Sequence, residues 1–200
     1  MTSDPFWYFA FGANMNSKIF LESRGMRPRS SEPAELNGYR LVFDHPGIPL
    51  IEPSFANVEK HDSSKIYGVL YHMTQNEISI LNKMEGGGEY QNLNLEVLGT
   101  RSGLKTAHVF WSENTGIKHL RPSKRYMNIL LEGAVEHSLP KEWLQFLENQ
   151  PTSPHYPILS PAMKRIMPVL NKLFKIGLGI PFKRWKEKQH KKAMKHNSSD

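Results

Sequence analysis

The residue of this 200-residue chain that is best suited to proton transfer is Glu85. It follows a predicted helix and directly precedes the run Gly86–Gly88. At a helix C-terminus, unsatisfied carbonyls and the negative end of the helix dipole are expected to raise the pKa of a carboxyl group, which suits a general acid/base. The alternative is a solvated glutamate beside a glycine C-cap, and spacing alone favours that alternative.

A second stretch that could do chemistry is Trp7–Asn16, written WYFAFGANMN. Its aromatic residues predict a buried strand that stops at Gly12. Because Gly12 and Ala13 carry almost no side chain, the amides of residues 11–14 could point at an anionic or carbonyl oxygen. The alternative is a tight strand-to-helix turn that binds no ligand.

Further strands and helices must position these two segments. Alternating apolar residues predict strands over residues 34–43, 66–73, 90–98 and 107–112. A short helix is predicted from Asn16 or Ser17 to Gly25, and the capping box Thr74–Glu77 opens another, whose apolar stripe is Ile78, Leu81 and Met84.

Two more helices are predicted towards the end of this region. One follows Ser123, and another begins at Pro140 with Trp143, Leu144 and Leu147 facing inward. The buried face of the first is predicted to comprise Tyr126, Ile129, Leu130, Gly133, Ala134 and His137. Gly133 and Ala134 make the middle of that face thin, so another backbone or a ligand can approach it.

The pattern predicts an α+β fold in which a strongly curved or closed sheet is flanked by helices. Residues 1–150 are expected to form one domain and residues 151–200 a basic extension. Residues 151–200 hold 11 Lys and Arg against 2 acidic residues, a net charge of +9, whereas residues 1–150 hold 15 against 17, a net charge of −2. Attraction to nucleic acid is therefore not expected in the first domain.

The composition also limits the chemistry and the location of the protein. The absence of cysteine excludes disulfides, thiolate nucleophiles and cysteine-based metal sites. No apolar run approaches the roughly 18 residues of a membrane span, and we expect a cytoplasmic protein. The 9 histidines form no zincin pattern, so no metal site is predicted, and the glycine run lacks the lysine of a P-loop.

The basic extension has two interpretations. Apolar residues between Pro161 and Phe174 lie on one stripe and basic residues lie off it, while aromatic residues near Trp185 alternate with lysines and arginines. This pattern suits either a helix packed on the barrel or a segment that contacts an anionic membrane surface or an acidic partner. Residues after Lys188 are expected to be disordered.

Four motifs occur in an order that resembles the gamma-glutamylcyclotransferase family. YFAFGANM at residues 8–15 is similar to the YFAYGSN loop of the family, and IYGVLYHM at residues 66–73 is similar to its V-x-G-V-x-(Y/W)-x-(M/L) strand. MEGGGEY at residues 84–90 is similar to its E-G segment followed by a tyrosine, and Tyr126 with Gly133-Ala134 and Leu139-Pro140 is similar to its Y-x6-G-A-x4-L-P segment. The resemblance spans about residues 7–148.

The resemblance implies a fold, a reaction and a set of site residues. Members are small barrels with attached helices that convert a gamma-glutamyl amino acid into 5-oxoproline and a free amino acid without a cofactor. Glu85 would be the acid/base. The residues implied to bind the small-molecule substrate are Tyr8, Phe9, Ala10, Phe11, Gly12, Ala13, Asn14, Tyr90 and Tyr126.

Two residues depart from the family pattern. Phe11 stands where the family usually has Tyr, and Ala13 stands where it has Ser, so a phenol and a hydroxyl are missing. The loop is closest to the branch that acts on gamma-glutamyl amino acids. The rival hypothesis is a binding or regulatory protein that keeps the pocket without turnover and uses its basic extension to contact a partner. The oligomeric state is left open, with a homodimer as one alternative.

Overall fold

The computed structural model describes residues 6–48, 52–84, 91–113 and 120–154. Five strands lie in this part of the chain: β1 Phe6–Ala10, β2 Ser30–Ile48, β3 Glu52–Met73, β4 Gln91–Gly99 and β5 Gly103–Trp111. They form a closed barrel in the order β1-β3-β2-β4-β5. Neighbouring strands are antiparallel except β1 and β5, which are parallel and close the barrel. The predicted α+β barrel with flanking helices is confirmed.

The elements have the following bounds. The helices are α1 Gln75–Met84, α2 Lys124–Glu136 and α3 Lys141–Glu148. Between β1 and β2 lie a 3₁₀ turn, Ala13–Met15, and a short π-helix, Lys18–Ser23.

The strand register places the ends of three strands, β1, β4 and β5, at the same end of the barrel. Tyr8 of β1 pairs with His108 of β5 in the parallel ladder, so both strands leave the barrel at the same end. At that end Gln91, the first residue of β4, pairs with Trp111 of β5. The segment that follows β1 and the segment that precedes β4 are therefore joined to the same end of the barrel.

The β2–β3 hairpin is much longer than the two strands predicted from the sequence. Its pairing continues from Ser30–His72 to Ile48–Glu52, with irregular register near Asn37 and between Val42 and His45. The part of β3 that begins at Glu52 was not predicted, because polar residues in it are buried and interrupt the apolar alternation on which prediction relies.

The predicted helix signals are present where the structure describes them. The amide of Thr74 donates to Glu77 at 2.9 Å and the amide of Glu77 donates to the Thr74 hydroxyl at 3.3 Å, which completes the predicted capping box of α1. The Asn16 side chain accepts from the amide of Ile19 at 3.2 Å and caps the π-helix. No helix among the described residues is long and apolar enough to cross a membrane.

Helix α2 packs its thin face on the 3₁₀ turn, as the small residues of that face predict. A Cβ added to Gly133 would lie 2.7 Å from both the carbonyl carbon of Met15 and the amide nitrogen of Asn16. Separations this short are not tolerated between a real Cβ and backbone atoms. Glycine at position 133 is therefore what allows α2 to rest directly on the backbone that follows β1.

We predict that Gly133→Ala destabilises the fold. The added methyl group must push α2 away from Met15 and Asn16, and overpacking of this kind costs about 1–3 kcal/mol. Urea unfolding followed by circular dichroism measures the loss. Val135→Ala, on the exposed side of the same helix, is the matched control and should change stability by less than about 0.5 kcal/mol. Equal midpoints for Gly133→Ala and the control would contradict the prediction.

Candidate active site

Two adjacent amides in the loop after β1 have no acceptor among the residues that the structure describes. Gly12 has φ −120° and ψ −145° and precedes the 3₁₀ turn, in which the amide of Met15 donates to the Gly12 carbonyl at 3.0 Å. No described residue accepts a hydrogen bond from the amide of Gly12 or Ala13. Both residues are half-buried. This arrangement suits the binding of a carbonyl or anionic oxygen.

The hydroxyl group of Tyr126 lies directly beside this loop. It is 3.2 Å from the position that a Cβ of Gly12 would occupy, and it accepts a hydrogen bond from the Ala56 amide at 3.2 Å. The ring of Tyr126 is buried and meets the ring of Phe55 edge-on at 5.3 Å. The structure thus brings together Gly12 and Tyr126, which are far apart in sequence and were both predicted to line one pocket.

Tyr8 and Asn14 bind each other beneath the loop. The side-chain amide of Asn14 donates to the Tyr8 hydroxyl at 2.7 Å, and the Tyr71 hydroxyl donates to the Asn14 carbonyl at 3.1 Å. Burial raises the pKa of the Tyr71 hydroxyl, so this group stays a proton donor. The Tyr8 ring lies against Phe20 and Phe110. These contacts support the loop from the core side.

The remaining residues predicted in this loop also contribute to packing. Phe9 and Ala10 are buried, and a Cβ on Gly68 of β3 would lie 2.3 Å from the Ala10 carbonyl oxygen. Phe11 is 6% exposed, with its ring centroid 6.4 Å from that of Phe9. Ala13 is partly buried against the same core. The roles assigned to these side chains in substrate binding stay predictions.

Glu85 and Tyr90 lie outside the described residues, as do residues 155–200 of the basic extension. The chain re-enters the described part at Gln91, which lies at the barrel end where β1 stops. The role of Glu85 as the acid/base stays a prediction.

A group of buried polar residues at this barrel end was missed in the sequence. The side chain of Asn57 donates to the Ser112 carbonyl at 2.9 Å and accepts from the Ser112 amide at 3.1 Å, so β3 is tied to the end of β5. Asn57 also donates to Asp44 at 2.9 Å, but burial outweighs this bond and raises the pKa of Asp44. Asp44 and Asn57 lie between the strands predicted at residues 34–43 and 66–73. The polar residues in that interval are the sequence feature that could have revealed this group.

Within the described ranges, no group of three or more histidine and acidic side chains is placed to hold a metal ion.

Proteins of other organisms are similar to this chain over most of its length. The sequence profile of the AIG2-like family matches residues 65–147. The chain is 27% identical over 72% of its length to gamma-glutamyl cyclotransferase aclK of Aspergillus oryzae and 29% identical over 68% to gamma-glutamyl cyclotransferase gliK of Claviceps purpurea. It is 25% identical over 73% of its length to the gamma-glutamylcyclotransferase of Bos taurus.

The chain is therefore similar in sequence to gamma-glutamylcyclotransferases of fungi and mammals.

The similar proteins differ in the share of their own length that this chain matches. The matches span 60% and 66% of the two fungal proteins and 79% of the bovine protein. A solved structure of a gamma-glutamyl cyclotransferase superposes with a TM-score of 0.64 at 20% identity, covering 81% of this chain and 99% of the other. That similarity shows a shared fold.

Acidification is predicted to weaken the support of the loop through His137. Its ring lies at the end of α2, with Nε2 3.5 Å from the Tyr71 hydroxyl. Burial lowers the pKa of His137, although the neighbouring Glu136 and the backbone of Met15 act in the opposite direction. The unfolded chain therefore takes up a proton more readily than the folded one, and the free energy of unfolding falls as the pH drops below about 6.5.

Urea unfolding of wild type and His137→Gln at about pH 7.5 and about pH 5.5 measures this effect. The variant cannot take up the proton, so it should lose less stability on acidification than wild type does. Equal losses would show that His137 does not contribute to the pH dependence.

Proposed function

We propose that this protein is a gamma-glutamylcyclotransferase that converts gamma-glutamyl amino acids or peptides into 5-oxoproline and a free amino acid or amine. The observation that carries the proposal is the position of the Tyr126 hydroxyl, 3.2 Å from where a Cβ of Gly12 would lie, beside two amides that have no acceptor in the described part of the chain. The names of the fungal and bovine relatives support the same reaction.

The reaction needs no nucleophile from the protein, because the substrate supplies its own. The main chemical task of the protein is proton transfer. The α-amine attacks the γ-carbonyl, a C–N bond closes the five-membered ring, and the original γ-amide C–N bond breaks. In our proposal Glu85 removes a proton from the α-ammonium group and later protonates the leaving amine. Such general acid/base catalysis typically contributes about 10² to 10⁴ in rate.

The tetrahedral intermediate carries a negative oxygen, for which we propose the amides of Gly12 and Ala13 as donors. Because a backbone amide does not depend on the side chain, Ala13 in place of the family's Ser removes no donor of this kind. Loss of one such donor costs about 10² to 10³ in rate. Tyr126 is proposed to bind the substrate beside them.

The substrate class and the domain division are also proposals. The loop YFAFGAN favours substrates in which the leaving group is an amino acid. Residues 1–150 would form the catalytic domain, although the Ser153 amide still donates to the Pro122 carbonyl at 2.9 Å. Contact of the extension at residues 151–200 with an anionic membrane surface is a separate hypothesis, which binding of the full chain to anionic vesicles would test.

Release of 5-oxoproline from gamma-glutamyl dipeptides, glutathione and gamma-glutamylamines tests the proposed function. We predict that Glu85→Gln abolishes release while the fold, measured by circular dichroism, is retained. Glu96→Gln, on the exposed side of β4, is the matched control and should keep wild-type turnover. Activity of Glu85→Gln close to wild type would remove Glu85 from the mechanism, and a wild type that is inactive on all three classes would refute the proposed function.

We predict that Gly12→Ala lowers turnover by about ten- to a hundredfold, because the new methyl group would lie 3.2 Å from the Tyr126 hydroxyl and displace either group. The φ of −120° is open to alanine, so stability should change by less than about 1.5 kcal/mol. Steady-state kinetics of 5-oxoproline release measures the effect.

The matched control for this prediction is Gly12→Ala in a Tyr126→Phe background. Removal of the hydroxyl relieves the contact, so the alanine should cost much less there than in wild type. An equal cost in both backgrounds would show that the contact with Tyr126 does not explain the loss.

A further inference from the structure

Glu52, the first residue of β3, holds the first turn of α2. One carboxylate oxygen accepts a hydrogen bond from the Ser123 hydroxyl, and the other accepts one from the Arg125 guanidinium. The side chain of Glu52 is 4% exposed, whereas that of Arg125 is 68% exposed. A buried carboxylate is therefore bound by two groups that belong to the beginning of one helix.

The hydrogen-bond capacity of Ser123 couples Glu52 to the helix cap. Ser123 is the N-cap of α2, and its hydroxyl oxygen accepts a hydrogen bond from the Tyr126 amide at 3.0 Å. A hydroxyl has a single proton, and here that proton is donated to Glu52. Glu52 thus fixes the rotation of the group that caps Tyr126.

The same strand also holds the other end of Tyr126. Four residues beyond Glu52, the amide of Ala56 donates to the Tyr126 hydroxyl at 3.2 Å. The backbone of Tyr126 is fixed through Ser123 and its hydroxyl through Ala56, so β3 sets the position of this side chain at two points. The hydroxyl lies where a Cβ of Gly12 would be only 3.2 Å away.

We propose that Glu52 is a positioning residue of the active site, which acts through Ser123 to hold the Tyr126 hydroxyl beside the Gly12 loop. Glu52 itself does not touch the substrate. This inference rests on the proposed function for its kinetic consequences, whereas its structural part depends only on the contacts of Glu52 and Tyr126.

Glu52→Gln is the variant that tests the chain of contacts. Ser123 and Arg125 donate to different oxygens of Glu52, and glutamine has an oxygen at only one of these two positions, so it cannot accept from both groups in the present geometry. We expect kcat to fall about tenfold, which is within the range for a small misplacement of a catalytic group. Ser123→Ala removes the hydroxyl that links Glu52 to the Tyr126 amide and should lower kcat to a similar extent. Ser123→Thr keeps a hydroxyl at this position and should retain most of the wild-type kcat.

A double-mutant cycle with Tyr126→Phe separates positioning from general stabilisation. If Glu52 acts through the Tyr126 hydroxyl, Glu52→Gln should add little further loss once that hydroxyl is gone. If Glu52 affects kcat independently of that hydroxyl, the two losses should multiply, and if Glu52 contributes only to stability, kcat of the folded variant should not fall; either result overturns the proposal.

Ser54→Ala is the matched control. Ser54 lies on the same strand between Glu52 and Ala56, is fully buried, and its hydroxyl has no hydrogen-bond partner among the described residues. Removing an unpartnered hydroxyl should leave kcat and the melting temperature near wild type. A loss in Ser54→Ala as large as that in Glu52→Gln would mean that any change in this strand impairs the site, and would overturn the specific role of Glu52.

Fluorine NMR of full-length protein with 3-fluorotyrosine at position 126 tests the inference independently of turnover. Glu52→Gln should shift or broaden the resonance, and Ser54→Ala should not. If wild type releases no 5-oxoproline but the resonance moves in Glu52→Gln alone, the proposed function fails while the positioning role stands. An unchanged resonance in Glu52→Gln overturns the positioning role whatever the activity. If Glu52→Gln does not fold, Ser123→Ala takes its place in both measurements.

Discussion

The backbone contact between α2 and the 3₁₀ turn at Gly133 is the constraint on which the candidate site depends. At this contact the helix lies directly against the backbone of Met15 and Asn16, immediately after the Gly12 loop. Tyr126 lies seven residues earlier on the same helix, about 10 Å along its axis. One rigid helix therefore sets the position of the turn and of the hydroxyl that faces Gly12.

Much of the fold could be predicted from the sequence, because local rules determine it. The capping box at Thr74 and Glu77 satisfies helix amides within four residues, and the thin face of α2 follows from the glycine and alanine at positions 133 and 134. The buried face of α2 differs in detail, since Met127 is buried and Ile129 only half-buried. Helix α2 packs against both the 3₁₀ turn and α3, so its apolar face is wider than the single stripe of residues predicted from the sequence.

The far half of the β2–β3 hairpin could not be predicted, because distant partners stabilise it. Glu52 is tolerated in a buried position only because Ser123 and Arg125 bind it, and Asn57 only because Asp44 and Ser112 do. The sequence near Glu52 and Asn57 does not indicate which distant residues bind them. The family motifs identified the loop near Gly12 and Tyr126, but the residues that hold these groups in place are visible only once the chain is folded.

The parallel pairing of β1 with β5 has a consequence for how the protein forms. Tyr8 and His108 are neighbours in the sheet although about a hundred residues separate them in the chain. Contacts between such distant segments slow folding, since a long loop must be closed before they form. During synthesis β1 can pair with β3 first, but its pairing with β5 must wait until β5 has left the ribosome, and α2, which rests on the turn after β1, follows later still. The loop near Gly12 therefore acquires its packing against α2 only at a late stage of folding, after that helix has been synthesised.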